Sequence, residues 1–174
     1  METDKETGGK FDDGFYGAQK YVANYLLIPG AREVLARLKH EYGASLHALT
    51  ARDKGNLEDV TLRALGEHFG VGEGDDNLID ELHFSGDPDF IGETQADKGT
   101  ILRDKLGAHI MVEDSIANAI SSRKANVATF VLGRAYNQTG HDWSPEATAP
   151  DWDNLYTLIS QSLDEQGFKK ITVA

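Results

Sequence analysis

The sequence predicts a three-layer α/β sandwich: a mainly parallel sheet with helices on both faces. Short apolar runs alternate with helical periodicities from Pro29 to the C-terminal residues, and such alternation requires parallel strands joined by crossover helices. One of these runs, Ile110-Met-Val112, ends in two adjacent carboxylates, Glu113 and Asp114, just before a helix begins. The carboxyl ends of parallel strands are where open α/β sheets gather their ligands. No internal repeat or low-complexity tract interrupts the pattern, and 174 residues suit one domain with its own core.

Met1 to Asp13 is polar, with Gly8, Gly9 and five acids, and reads as loop. Phe15 to Leu27 crowds aromatic and aliphatic residues into a short segment read as helical, and Pro29-Gly30 then breaks the chain. Ala31, Val34, Leu35, Leu38 and Tyr42 recur at helical spacing, up to Gly43. Ser45 to Leu49 reads as a strand and Asn56 to Phe69 as a helix. The run Gly70-Val-Gly-Glu-Gly74 follows that helix instead of a strand, so it is a turn and not a phosphate-binding loop. Leu78 to Phe84 reads as a third strand and Ser85 to Gln95 as loop. Asp97 caps a helix carrying Ile101, Leu102 and Leu106. The strand at Ile110 stops at the acid pair, and Ser115 opens the next helix. Val127 to Leu132 is a strand, Gly133 to Pro150 a long polar loop, Trp152 to Leu163 the last helix and Lys170 to Ala174 the last strand.

Composition closes several routes. A net charge of −12 argues against a broad basic surface for nucleic acid or anionic membrane. The absence of cysteine excludes disulfides, thiolate metal sites and cysteine nucleophiles. No apolar run approaches the ~20 residues of a membrane span, and the N-terminus is charged rather than signal-like. A cytoplasmic location is the expectation.

Three features fall where a doubly wound sheet gathers them. Thr50 ends a strand in Leu49-Thr-Ala-Arg52, Lys98 opens a helix in Asp97-Lys-Gly99, and Glu113 with Asp114 ends another strand. A hydroxyl, an ammonium and paired carboxylates suit a phosphate held beside a divalent cation. Each feature alone has a plainer reading: a surface lysine, a helix cap beside an exposed Glu. Lys98 nevertheless sits at a helix start, where the helix dipole disfavours a cation.

In order and wording, Leu49-Thr-Ala-Arg52, Asp97-Lys-Gly99 and Val112-Glu-Asp-Ser-Ile-Ala-Asn118 resemble the haloacid dehalogenase superfamily of phosphatases. Leu132-Gly-Arg-Ala-Tyr-Asn137 and Asp151-Trp-Asp-Asn-Leu155 are similar to the tail of its deoxynucleotidase-like branch. The resemblance spans roughly Leu26 to Leu163. It implies a Rossmann-like core over residues 29–174, with residues 1–28 as a reduced cap or N-terminal extension. It makes Thr50 and Lys98 phosphate ligands, Glu113 and Asp114 a Mg2+ site, and Arg52 and Asn118 auxiliary residues.

The family's chemistry begins with an Asp-x-Asp after its first, central strand, the first aspartate attacking phosphorus and the second serving as acid and base. No such motif comes after a first strand here; Asp12-Asp13-Gly14 lacks both the spacing and the strand. Lys169-Lys-Ile-Thr-Val-Ala174 resembles that first strand, and Met1-Glu-Thr-Asp4 resembles the residues just beyond the motif. The expectation is a circular permutation broken at the first-motif loop, with the last strand between the Leu46 and Ile110 strands. The simpler alternative pairs residues 170–174 at a sheet edge.

The expected function is accordingly non-catalytic: a phosphatase-like pseudoenzyme that binds a small phosphorylated ligand or a protein partner. The alternative is an active Mg2+-dependent phosphohydrolase on a phosphorylated metabolite or nucleotide. It would take an aspartate from Asp4, Asp12, Asp13 or a partner chain. A third reading makes the aromatic segment Phe15 to Leu27 a dimer surface.

Overall fold

The computed structural model describes residues 27–91, 97–134, 143 and 147–171. The readings made for residues 1–26, including the aromatic segment and most of the cap, lie outside the described residues. The described part is mixed α/β, with short parallel strands in two small sheets. It forms two compact units, one of residues 45–91 with 27–28, the other of 29–44 with 97–171. No described helix is long and apolar enough to cross a membrane.

In the second unit, α1 (Ala31–Tyr42) opens the order. In the first unit come β1 (His47–Thr50), α2 (Lys54–Phe69), β2 (Glu81–Phe84) and α3 (Pro88–Ile91). β1 and β2 pair in parallel, His47 opposite Glu81 and Thr50 opposite Phe84. α2 starts two residues before the expected Asn56 because the Asp53 carboxylate accepts the Gly55 N–H at 3.1 Å and caps it there. Its Leu57 and Thr61 are buried.

The glycine run is a turn, as its position after a helix requires. Gly70 ends α2 with φ 71°, a region costly for a side chain, and a Cβ there would collide with Asn77. The Asn77 amide in turn donates to the carbonyls of Val71, Gly72 and Glu73 at 3.4, 3.3 and 3.1 Å. The expected loop 85–95 is corrected by α3. Pro88 suits a first helical position, and the Asp87 carboxylate accepts the Asp89 N–H at 3.0 Å.

The second unit continues with α4 (Lys98–Asp104), β3 (Ile110–Glu113), α5 (Ile116–Lys124), β4 (Ala128–Leu132), β5 (Thr148–Ala149) and α6 (Trp152–Glu165). The sheet order is β3-β4-β5, all parallel, with Ile110 opposite Ala128 and Val131 opposite Thr148. β5 lies in the stretch read as loop; two residues are too few for a period-2 pattern to register. Glu113 is the last residue of β3, one beyond the apolar run that predicted the strand.

β4 is covered on both sides. Val34 and Leu38 of α1 pack with Leu155, Tyr156 and Ile159 of α6, and Ile110, Val112 and Phe130 lean on that cluster. Ile116 and Ala119 of α5 pack against Val131. Alternation along a strand turns successive side chains to opposite faces, so Glu113 shares a face with Met111 and points away from the α1–α6 layer. The expected strand at 170–174 is described only to Ile171, which lies in irregular backbone with its N–H donating to the Glu41 carbonyl at 2.6 Å. Val173 lies outside the described residues.

Candidate ligand site at the end of β3

The packing of α4 on α5 fixes where Lys98 sits. Gly99 is buried, and a Cβ on it would collide with the Ser121 carbonyl, so glycine at this position is required by the close approach of the two helices. Ser121 fastens the contact. Its Oγ accepts the Gly99 N–H at 3.1 Å and donates to Asp97 Oδ1. Asp97 caps α4 as expected, accepting the Thr100 N–H at 3.3 Å. The Ser121 hydroxyl, then the Thr100 N–H, hold the Asp97 carboxyl below its ordinary value, because both favour the charged form.

From that position Lys98 reaches Glu113. Lys98 Nζ donates to Glu113 Oε2 at 2.9 Å, and the two side chains are only 13% and 7% exposed. The other oxygen, Glu113 Oε1, accepts the N–H groups of Asp114 and Ser115 at 3.2 and 3.3 Å. A charged group this buried persists only when paired and hydrogen-bonded, and Glu113 meets both conditions. The ion pair also accounts for a lysine in the first turn of α4, against the dipole.

Asp114 is exposed at the same strand end. Ser115 caps α5 by accepting the Asn118 N–H at 3.5 Å, and the Asn118 carbonyl accepts the Ser122 hydroxyl at 2.9 Å. Magnesium takes near-octahedral oxygen ligation, commonly one or two carboxylates with phosphate and water. Glu113 fits that role poorly, since both its oxygens are already engaged. Asp114, exposed at the same strand end, offers a second carboxylate for that role, with phosphate and water completing the shell.

Thr50 and Arg52 belong to the first unit. Thr50 Oγ1 accepts the Arg52 N–H at 3.3 Å, and Arg52 Nη1 donates to Thr61 Oγ1 at 3.3 Å. Arg52 is thereby turned onto α2. Of the residues read as a site, then, Lys98 and Glu113 touch, Asp114 and Asn118 follow on the same strand–helix junction, and Thr50 and Arg52 meet each other.

Two Asp-x-Asp triplets do occur, Asp87-Pro-Asp89 and Asp151-Trp-Asp153. Both begin helices. Asp87 caps α3 and pairs with Lys54 at 2.7 Å, which holds its carboxyl below the ordinary value. Asp151 caps α6, accepting the Asn154 N–H at 2.8 Å. A cleft of about 270 Å³ beside α3 is lined by Lys54, Glu58, His83, Asp87, Asp89 and Phe90. Three carboxylates against one ammonium make it unsuited to a phosphate.

Sequence reading passed over His47, Glu81 and His83, whose ligand atoms lie within 4.8 Å of one another. The signal in the sequence was Glu81-Leu-His83, two potential ligands at the spacing that puts strand residues on one face. Their partner, His47, comes from a strand 34 residues earlier in the parallel register.

Comparison with family models, with curated proteins and with solved structures finds no match for this chain.

Proposed function

We propose that the chain is a haloacid-dehalogenase-like protein that holds a small phosphorylated ligand at the carboxyl end of β3 without hydrolysing it. One observation carries the reading: the largely buried Lys98–Glu113 pair beside an exposed Asp114. The ammonium of Lys98 has protons to offer a phosphate oxygen, but its charge is already balanced by Glu113. Beside Asp114, an arriving anion then meets a negative carboxylate. A cation there would relieve the repulsion, and magnesium would supply that charge. The N–H groups at the start of α5 add donors suited to an anion. The resemblance assigns attack and acid–base work to an aspartate pair after the first strand, whereas Asp87 and Asp151, which open the two triplets here, are used as helix caps; acid–base assistance alone is worth about 10²–10⁴-fold in such reactions. Thr50 and Arg52 enter the reading through the resemblance.

Titration of the full chain with inorganic phosphate and with a nucleoside monophosphate, with and without Mg2+, tests this by amide NMR. The expected result is Mg2+-dependent shifts at Ser115 and Asn118 that disappear in Asp114→Asn. Absence of shifts would remove the ligand. Mg2+-dependent phosphate release from an aryl phosphate, lost in Asp114→Asn, would replace this reading with the hydrolase.

A further inference from the structure

The first unit carries a group of side chains that the phosphate reading leaves unused. His47 opens β1, Glu81 stands opposite it, and His83 lies two residues on, so strand alternation puts all three on one face. His47 Nδ1 lies 3.0 Å from His83 Nε2, while Glu81 Oε2 lies 3.3 Å from His83 Nε2 and 3.9 Å from His47 Nδ1. We propose that His47, Glu81 and His83 bind a divalent cation of the zinc class, which straps β1 to β2.

The size of the triangle supports an ion. A triangle with those three sides has a point about 2.0 Å from every corner, which matches zinc's distances to imidazole nitrogen and carboxylate oxygen. The donor set gives the class: two imidazoles with one carboxylate suit zinc and its neighbours, whereas magnesium and calcium prefer oxygen throughout.

The surroundings orient the first ligand. Ser45 Oγ lies 3.0 Å from His47 Nε2 and donates to Asp80 Oδ2 at 3.0 Å. A hydroxyl has one proton. With that proton on Asp80, Ser45 must accept from His47, so Nε2 carries the hydrogen and Nδ1 presents its lone pair to the group. Asp80 is itself held by the Leu46 N–H at 2.7 Å. Such an outer hydrogen bond is what fixes the tautomer and tilt of a metal-bound histidine.

The second ligand is held by stacking: the His83 ring lies 4.6 Å from Phe90 at 20° and 5.3 Å from His47 at 15°. Three protein ligands leave a fourth position for water or an exogenous ligand. Glu81, 64% exposed, lies on the solvent side.

Titration of the full, metal-free chain with Zn2+ by calorimetry, and with Co2+ by visible absorption, tests the site. One equivalent is expected to bind, Co2+ giving a tetrahedral spectrum, with excess Mg2+ failing to compete. Both Glu81→Gln and His47→Ala alter side chains at least partly exposed, so the fold is expected to survive. Losing an outer partner of a metal ligand costs about 10–100-fold in affinity. Ser45→Ala should fall in that range, and loss of either ligand should exceed it. Asp114→Asn should leave zinc binding unchanged. Absence of stoichiometric zinc binding would overturn the proposal. So would undiminished affinity in the His47→Ala/Glu81→Gln double variant, or loss of zinc in Asp114→Asn.

Discussion

Lys98 Nζ lies 2.9 Å from Glu113 Oε2, joining the first turn of α4 to the last residue of β3 through a pair largely withdrawn from water. The contact links residues 15 positions apart, and it depends on a third position, Gly99, where only glycine lets α4 approach α5.

Breaking that pair on one side should be costly. Lys98→Met leaves Glu113 buried without its cation, and Glu113→Gln leaves Lys98 without its anion. Removing one partner of a buried pair costs about 3–5 kcal/mol, and residual exposure places these two at the lower end. The double variant Lys98→Met/Glu113→Leu should be less destabilised than either single variant, since apolar replacement of both partners avoids an orphaned charge. Urea unfolding measures all three. Equal stability of the wild type and the single variants would show the pair to be energetically idle.

Gly99→Ala should destabilise without altering any charge. The added methyl meets the Ser121 carbonyl, and relief requires α4 to shift, at a cost of about 1–3 kcal/mol as for other overpacked contacts. A drop in the urea midpoint, accompanied by amide shifts at Lys98 and Glu113, is the expected signature. An unchanged midpoint would mean that the helices part freely.

Acid should loosen the clasp between α1 and the residues after α6. Glu41 Oε2 accepts from Lys170 Nζ at 2.7 Å and from the Tyr156 hydroxyl, while Oε1 accepts from Arg37 Nε at 3.2 Å. Lys170 first, then Tyr156, lowers the Glu41 carboxyl from 4.5 to about 2. A depressed folded value means stability that is fully present above the unfolded value and lost as pH falls through the folded one. The stability difference between wild type and Glu41→Gln should therefore be constant above pH 4.5 and shrink towards pH 2. A difference that stays flat through that window would dissociate Glu41 from the clasp.

The cap of α6 gives a smaller, cleaner effect. Asp151 accepts both the backbone N–H and the side-chain amide of Asn154, at 2.8 and 2.9 Å. Asp151→Ala should lower stability by about 1 kcal/mol, the usual worth of an N-cap, and Asp151→Ser should recover most of it. Failure of serine to restore the midpoint would show that charge, not capping, is the contribution.

Much of the fold was legible in local pattern. Apolar spacing located α1, α2, α5 and α6, and Asp97 announced the start of α4, because helix periodicity and capping are properties of a few neighbouring residues. Placement of the glycine run after a helix identified it as a turn. Local pattern could not show α3 and β5, elements of four and two residues, since neither is long enough to repeat the period it would need to display. Sequence alone also brought Lys98, Glu113 and Asp114 forward as chemically suggestive types at strand and helix ends. Only tertiary structure decided that Glu113 belongs to Lys98, because that pairing depends on how closely α4 packs on α5, a distance no local pattern contains. The same limit hid the group of His47, Glu81 and His83. Three unremarkable polar residues become a candidate coordination sphere only when parallel register sets β1 beside β2, and register is a relation between distant segments of the chain.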